Sequence, residues 1–581
     1  MTRTIMIERD VRVPMRDGVA LATDVYRPAD GGRHPVLVHR TPYGKGDAWV
    51  VGGLMLNPLD AVERGYVVVV QDCRGRFASD GTWIPFVVEG PDGYDAIEWA
   101  ASQSWSTGRV GIYGSSYNGV TTLQATIAAP PHLGACVAYM TGANYHDGWV
   151  YSGGAFELGF NFWWALHQAW GEVARLGLDE AGIAEAMARL GRGVTDPWPA
   201  LRHLPLCDQP LLGGGLAPYY YDWLAHPTYD EYWRPLDAVA RAAEITVPVL
   251  HISGWYDGFL RGHLDLNERL AAHSDPRVRD RHRFVVGPWD HMAYLGVRKS
   301  AAGRREFGPT AFGGPSFATE MTLEWFDRWL ADWEPTAAQQ ARVRYFMMGE
   351  NRWRDADAWP PPHVARRYYL QSGGRAATRF GDGTLTTDAP AAAGTDSYVY
   401  DPADPVPTFG GRSMAPAYCE AGVQDQSGIE ERPDVLVYSS AHLLAPLAIA
   451  GPVSVTLFVT SSAVDTDFTA KLVDVEPDGY CAPIAEGILR ARYRRGPDRE
   501  VLLVPGEVTE IAVDLLAVAH VFREGHRLRL EVSSSNFPKY DRNLNCAVSP
   551  GRATAADMRC AVQHVLHGGA HASHVTLPVV P

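Results

Sequence analysis

Cysteine is scarce in this chain and never grouped. The seven cysteines (Cys73, Cys136, Cys207, Cys419, Cys481, Cys546 and Cys560) are scattered, odd in number and free of C-x-x-C spacing. That argues against a disulfide framework and against a structural zinc site, and neither a metal nor any other cofactor is expected. Long apolar runs are missing too: no window approaches the roughly 18 unbroken apolar residues of a membrane span. The start, MTRTIMIERDVRVPMRDGVAL, has charges every few residues and no apolar core of signal-peptide length. A soluble, cytoplasmic protein without a membrane partner is expected. Dense Lys/Arg blocks are absent as well. With 52 Lys plus Arg against 67 Asp plus Glu the net charge is −15, and phosphate neutralisation needs clustered cations, so no nucleic acid partner is expected. The expected partner is a small molecule, and a homo-oligomer is left open.

What is present is an ordinary globular composition, 46% hydrophobic and 20% charged, on a chain of 581 residues. That length is too great for one core, so two to four domains are expected. Strand-like runs HPVLVHR (34–40), YVVVVQD (66–72) and RVGIYG (109–114) alternate with helical periodicity, notably PDGYDAIEWAASQS (91–104). A near-continuous valine run suits a strand covered on both faces, which implies a parallel sheet with helices on each side. Residues 147–239 break the rhythm with aromatic and Ala-rich helical patterns and are predicted to be a helical insertion. Strand alternation resumes at ITVPVLHISGWYDG (245–258) and HRFVVGPWDH (282–291), and the amphipathic TLEWFDRWLADW (322–333) closes this part. From 341 onward, runs such as VRYFMMG, VSVTLFVTSS and RLRLEVSSS between frequent turns predict an all-β sandwich or jelly roll. The predicted organisation is 1–146 and 240–340 as one α/β core, 147–239 as a cap inserted within it, and 341–581 as the β domain.

Two adjacent serines in GRVGIYGSSYNGVTTLQAT (108–126) sit between a strand pattern and a helix pattern. A nucleophilic serine at such a corner needs small neighbours, because the backbone doubles back on itself. Ser115 is flanked two residues away by Tyr113 and Tyr117, both bulky. Ser116 is flanked by Gly114 and Asn118, with Gly119 next, so Ser116 is the candidate. Its pattern is G-x-S-x-x-G rather than the strict G-x-S-x-G. A serine needs a base, itself oriented by an acid. On a parallel sheet these follow in the order Ser, Asp/Glu, His, in loops after later strands. Asp257 after VPVLHISG and His291 after RFVVGPWD meet that order. Asp290 is a rival acid, but an adjacent residue would struggle to bond the ring of its own neighbour while that ring faces Ser116, so Asp257 is preferred. The oxyanion needs two donors. One is the backbone N–H of Tyr117. The loop RTPYGKGD (40–47) lacks a glycine run but offers the Tyr43 hydroxyl, which could equally pack behind Pro42.

The pieces MRDGVALATDVYRP, VHRTPYGK, QDCRGRFASDG, GIYGSSYNG, SGWYDGF, GPWDH, DVLVYSS and DTDFTAKLVDVEPDG span nearly the whole chain in order. In them the chain resembles the cocaine esterase and X-prolyl dipeptidyl-peptidase family of serine hydrolases, which also contains α-amino acid ester hydrolases and a cephalosporin acylase. The resemblance implies an α/β-hydrolase core, an inserted helical cap and a C-terminal jelly roll. It implies Ser116, Asp257 and His291 as the triad and Tyr43 as an oxyanion donor. It implies an acyl pocket lined by Trp149, Trp164 and Phe259, with Trp163 an alternative to Trp164, and a loop at 408–422 reaching over the site. For QDCRGRFASDG, Asp72, Arg74 and Arg76 read as a buried network that supports the loop.

Within that family, sites that grip a free α-amino group carry carboxylates near the triad, because a desolvated ammonium must be paired. Here Asp257 is followed by Gly258, Phe259 and Leu260, and Asn118 stands where some such relatives carry Glu. The expectation is an ester hydrolase for a bulky or aromatic uncharged acyl group, with Asp147 and Glu157 as the residues that could overturn it. Two alternatives stand beside it. One is an acylase, α-amino acid ester hydrolase or X-Pro peptidase on the same machinery, and the other is a non-catalytic jelly-roll binding protein.

Overall fold

The structure, a computed structural model, describes residues 4–47, 55–295, 300–331, 341–415 and 418–581. A ten-stranded mixed sheet organises the first part. Its early strands are β1 (Ile5–Pro14), β2 (Ala20–Pro28), β3 (His34–Thr41), β4 (Val67–Asp72), β5 (Ser106–Ser115) and β6 (Leu133–Tyr139). The aromatic segment that follows contains a two-residue hairpin, β7 (Tyr151–Ser152) with β8 (Ala155–Phe156). The sheet then continues with β9 (Val249–Tyr256) and β10 (Arg283–Asp290). The order across the sheet is β1-β2-β4-β3-β5-β6-β9-β10. β4, β3, β5, β6, β9 and β10 run parallel to one another, while β1 and β2 form an antiparallel hairpin at the edge that joins β4 antiparallel.

The valine run explains the two-sided cover. Side chains alternate across a strand, so Val67 and Val69 pack with Val36, Val38 and Ile112 under the helices Glu89–Ser102 and Tyr117–Ile127. Val68 and Val70 pack on the opposite face with Leu37 and Tyr113 under the helices Pro58–Arg64 and Pro315–Leu330. Each fully buried side chain of this size contributes roughly 1.5–3 kcal/mol. This double cover leaves the C-terminal strand ends as the open edge where loops can carry chemistry.

The segment between β6 and β9 is mainly helical, with helices Leu158–Glu172, Glu180–Thr195 and Pro218–Ala225. The aromatic side chains of the first and third helices, with Ala186 and Leu190 of the second, form one apolar cluster with Tyr117, Trp149 and Phe259. The aromatic bunching of the sequence is therefore the core that joins this cap to the sheet.

One boundary differs from expectation. The run VRYFMMG was assigned to the β domain, but Val343–Met347 pairs parallel with β10, in register Phe284↔Val343, and Arg352–Ala356 closes the sheet antiparallel. A short alternating strand specifies which face is apolar, not which edge it joins. Val343 and Phe346 also belong to the cluster that contains Leu436, Val455 and Leu530 of the β domain, so this strand is part of the seam between the two units. The β domain proper is an eleven-stranded arrangement running from Val364 to Val579. Among the described residues no helix is long and apolar enough to cross a membrane. Residues 332 and 333 of the predicted amphipathic helix lie outside the described residues.

Candidate active site

β5 ends at Ser115 and the helix Tyr117–Ile127 starts at once, so Ser116 reverses the chain alone. It takes φ 56° and ψ −128°, a sparsely populated conformation that costs roughly 1–3 kcal/mol and persists only where the surroundings hold it. Its amide donates to the carbonyls of Tyr139 at 3.0 Å and Met140 at 3.2 Å. The spacing G-x-S-x-x-G has a steric cause. A Cβ on Gly114 would lie 2.0 Å from the Asn118 carbonyl oxygen, and one on Gly119 would lie 2.5 Å from Thr141 Cβ. Asn118 is accommodated between them, its Nδ2 at 3.3 Å from His39 Nε2.

Asp257 follows β9 and His291 follows β10, which are adjacent parallel strands. The geometry brings the three side chains together: His291 Nε2 is 3.1 Å from Ser116 Oγ, and His291 Nδ1 is 2.9 Å from Asp257 Oδ1. Asp257 is fully buried, and its Oδ1 also accepts the Phe259 amide at 3.2 Å. The rival, Asp290, uses its Oδ1 on the Met292 amide at 3.0 Å. An imidazole so placed can take the Ser116 proton and stay oriented while doing so.

The Tyr43 loop is held by the segment after β4. Asp72 Oδ1 accepts the Lys45 amide at 2.6 Å, and Arg76 Nε donates to the Pro42 carbonyl at 2.9 Å. Arg76 also reaches Gln168 and Glu172 of the cap, while Arg74 pairs with Asp92 and Asp17. These side chains lock the Tyr43 loop between sheet and cap, a role for Arg76 that the sequence reading placed only within its own loop. The Tyr43 hydroxyl accepts from Trp164 Nε1 at 3.2 Å and interacts with the Ser116 side chain. Burial pushes its pKa up to about 12 against those hydrogen bonds, so the phenol keeps its proton and is a donor beside Ser116. The Tyr117 amide is the first of the helix Tyr117–Ile127, and such amides have no intrahelical acceptor.

The predicted pocket aromatics converge on the same point. Trp149 stacks on Phe259 at 4.1 Å, Phe259 meets His291 edge-on at 5.1 Å, and Trp164 stacks on Tyr117 at 5.5 Å. Trp163 turns to His167 instead, at 4.5 Å. From the 408–422 loop, Met414 joins this cluster and closes on Gly258, where an added Cβ would sit 2.2 Å from its Sδ; residues 416 and 417 lie outside the described residues. Met414 was not singled out by the sequence, which carries no local signal for a contact across that chain distance. Asp147 pairs with Arg261 at 3.5 Å. Glu157 accepts Ser152 Oγ at 2.6 Å and, with Gly258, Arg412, Glu486 and Lys539, lines a cavity of about 30 Å³. Burial raises the Glu157 pKa to about 7, opposed by Lys539. Both carboxylates are thus committed to partners outside the Trp149/Phe259 stack.

Comparison with known proteins bears on what such an arrangement does. The profile of the X-Pro dipeptidyl-peptidase (S15) family matches residues 17–293, and that of the X-Pro dipeptidyl-peptidase C-terminal non-catalytic domain matches residues 336–576. The chain is 40% identical over 577 residues to cocaine esterase of Rhodococcus sp. (strain MB1 Bresler), covering 99% of this chain and 98% of that protein. A solved aminopeptidase from a marine sediment archaeon, Thaumarchaeota archaeon, aligns with TM-score 0.80 and 28% identity over 100% of this chain and 97% of that one. A solved α-amino acid ester hydrolase aligns with TM-score 0.77 and 27% identity at the same coverage.

Proposed function

The chain belongs to the cocaine esterase and X-Pro dipeptidyl-peptidase (S15) family and is a serine ester hydrolase with an α/β-hydrolase core and a C-terminal β domain, and we propose that it cleaves esters of a bulky, uncharged acyl group through an acyl-enzyme on Ser116. The observation that carries the reading is the relay from Ser116 Oγ to His291 and on to Asp257, at 3.1 and 2.9 Å. His291 takes the Ser116 proton as Oγ attacks the ester carbonyl. The Tyr43 hydroxyl and the Tyr117 amide donate to the oxyanion as it forms. His291 then protonates the leaving alcohol, and water repeats the sequence on the acyl-enzyme. Asp257, fixed by the Phe259 amide, keeps the imidazole in the tautomer that accepts from serine.

The acyl class follows from the walls. Trp149, Trp164 and Phe259 present apolar faces, and an ammonium placed among them would be desolvated without a counter-charge. Asp147 already answers Arg261, and Glu157 is bonded to Ser152 in a cavity it shares with Arg412 and Lys539. The test is a panel of aryl esters with aromatic or branched acyl groups, the matching α-amino acid esters and the matching amides. The uncharged bulky esters are expected to give the highest kcat/KM. A preference for the α-amino esters or the amides would overturn the acyl assignment while leaving Ser116 in place.

Tyr43→Phe removes a single oxyanion donor and keeps the ring. A loss on the order of 10²–10³ in kcat with little change in KM is expected. Steady-state kinetics on one aryl ester decide it, and an unchanged kcat would take Tyr43 out of the oxyanion site.

A further inference from the structure

Behind the triad lies a buried polar seam that the proposed reaction does not use. His263 is one turn into the helix Leu260–Ala271, whose start follows Asp257. Its Nε2 accepts the Thr141 amide at 2.9 Å. Thr141 follows Met140, whose carbonyl receives the Ser116 amide, and it abuts Gly119 of the elbow. A neutral imidazole that accepts at Nε2 carries its proton on Nδ1. Burial keeps this ring neutral, lowering its pKa to about 4, while the Asp257 charge acts on it in the opposite sense. His263 Nδ1 is a buried donor with no protein partner, and Asp257 Oδ2 is a buried acceptor with none. Beside them His251 and Ser253, alternate residues of β9, and Asn267, one turn beyond His263, also carry buried unpartnered polar atoms.

Orphaned groups of this kind cost roughly 1–3 kcal/mol each unless bridged, and a polar pocket with several partners is where buried water resides. Resting on the triad reading, we propose that His263 is a positioning residue: its Nδ1–H is joined through one buried water to Asp257 Oδ2, so that a single ring ties the acid to the serine elbow. The acid then has both oxygens engaged, Oδ1 by His291 and Phe259 and Oδ2 by this bridge. The ionisable groups packed around the pair are His291, Tyr43 across Ser116, His251 stacked on His263 at 5.8 Å, and His282 on the far side of His251. Burial lowers the pKa values of His251 and His282, and the acid limb of kcat/KM is the readout for the Asp257–His291 pair.

His263→Leu removes donor and acceptor together. With Oδ2 unbonded, the carboxylate stabilises the protonated His291 ring more strongly. The acid limb is expected to move upward by about half a pH unit or more, while kcat falls on the order of tenfold because the loosened carboxylate no longer holds the imidazole in line with Ser116. His263→Gln, whose amide can both accept from Thr141 and donate to the bridge, is expected to restore the limb and bring kcat within about twofold of the parent. A His263→Leu protein that melts like the parent and keeps its limb and kcat overturns the proposal. Should that variant fail to fold, ¹⁵N-histidine NMR on the unmodified protein decides instead: a His263 Nδ1–H that is protected from exchange and shows a cross-peak to a long-lived bound water supports the bridge, and an Nδ1–H without that cross-peak, or the Nε2–H tautomer, overturns it. The NMR arm needs no turnover, so it stays decisive even if the ester-hydrolase reading fails on the substrate panel.

Discussion

Ser116→Ala is expected to abolish hydrolysis of an aryl ester, lowering kcat by a factor on the order of 10⁴–10⁶, with the fold intact. The loss is so large because the nucleophile and base act as a unit. His291 Nε2 lies 3.1 Å from Oγ, and with the hydroxyl gone no neighbour substitutes, since Ser115 is still in β5, in register with Tyr139. Alanine keeps the Cβ that already tolerates φ 56° at this corner, so the melting temperature should change little. An organophosphonate probe should label the parent at Ser116 and leave the variant unlabelled. A folded variant that keeps more than about a thousandth of the parent turnover would place the nucleophile elsewhere.

Asp257→Ala is expected to cost on the order of 10⁴ in kcat. The carboxylate holds His291 Nδ1–H at 2.9 Å in a fully buried position. Removing it frees the ring to take the other tautomer and leaves the imidazolium formed during attack without a counter-charge. Asp290 cannot step in, because its Oδ1 is engaged by the Met292 amide. Asp290→Asn should therefore lose far less than Asp257→Ala in the same assay. Equal losses, or a larger one at Asp290, would reverse the assignment of the acid. Phosphonate labelling of Ser116 should slow in parallel with kcat in Asp257→Ala, since both need the oriented base.

The contrast between these two acids shows what kind of information a sequence holds. Short-range features were legible. The glycine at 114 is dictated by how close the chain approaches itself within five residues, at Asn118, whereas the one at 119 answers Thr141, a more distant segment. The valine run specifies a strand buried on two faces whatever its partners. The run Val343–Met347 marks the opposite case: its alternation was legible, and its edge was not, because β10 and the β domain both offer apolar surface to it.

The sequence alone determined the order of strand, serine, acid and base, the steric need for glycine at the corner, and the clustering of aromatics in the cap. These are set by local backbone geometry and side-chain period, which act over a few residues. Only the tertiary structure decided that Trp164 rather than Trp163 meets Tyr43, that Arg261 and Ser152 occupy Asp147 and Glu157, that Met414 closes on Gly258, and that His263 faces the acid from behind. Those contacts join segments far apart in the chain, as the pairing of Ser116 with His291 across a sequence separation of 175 does. What selects them is dense packing and the pairing of buried polar groups, which no local pattern encodes.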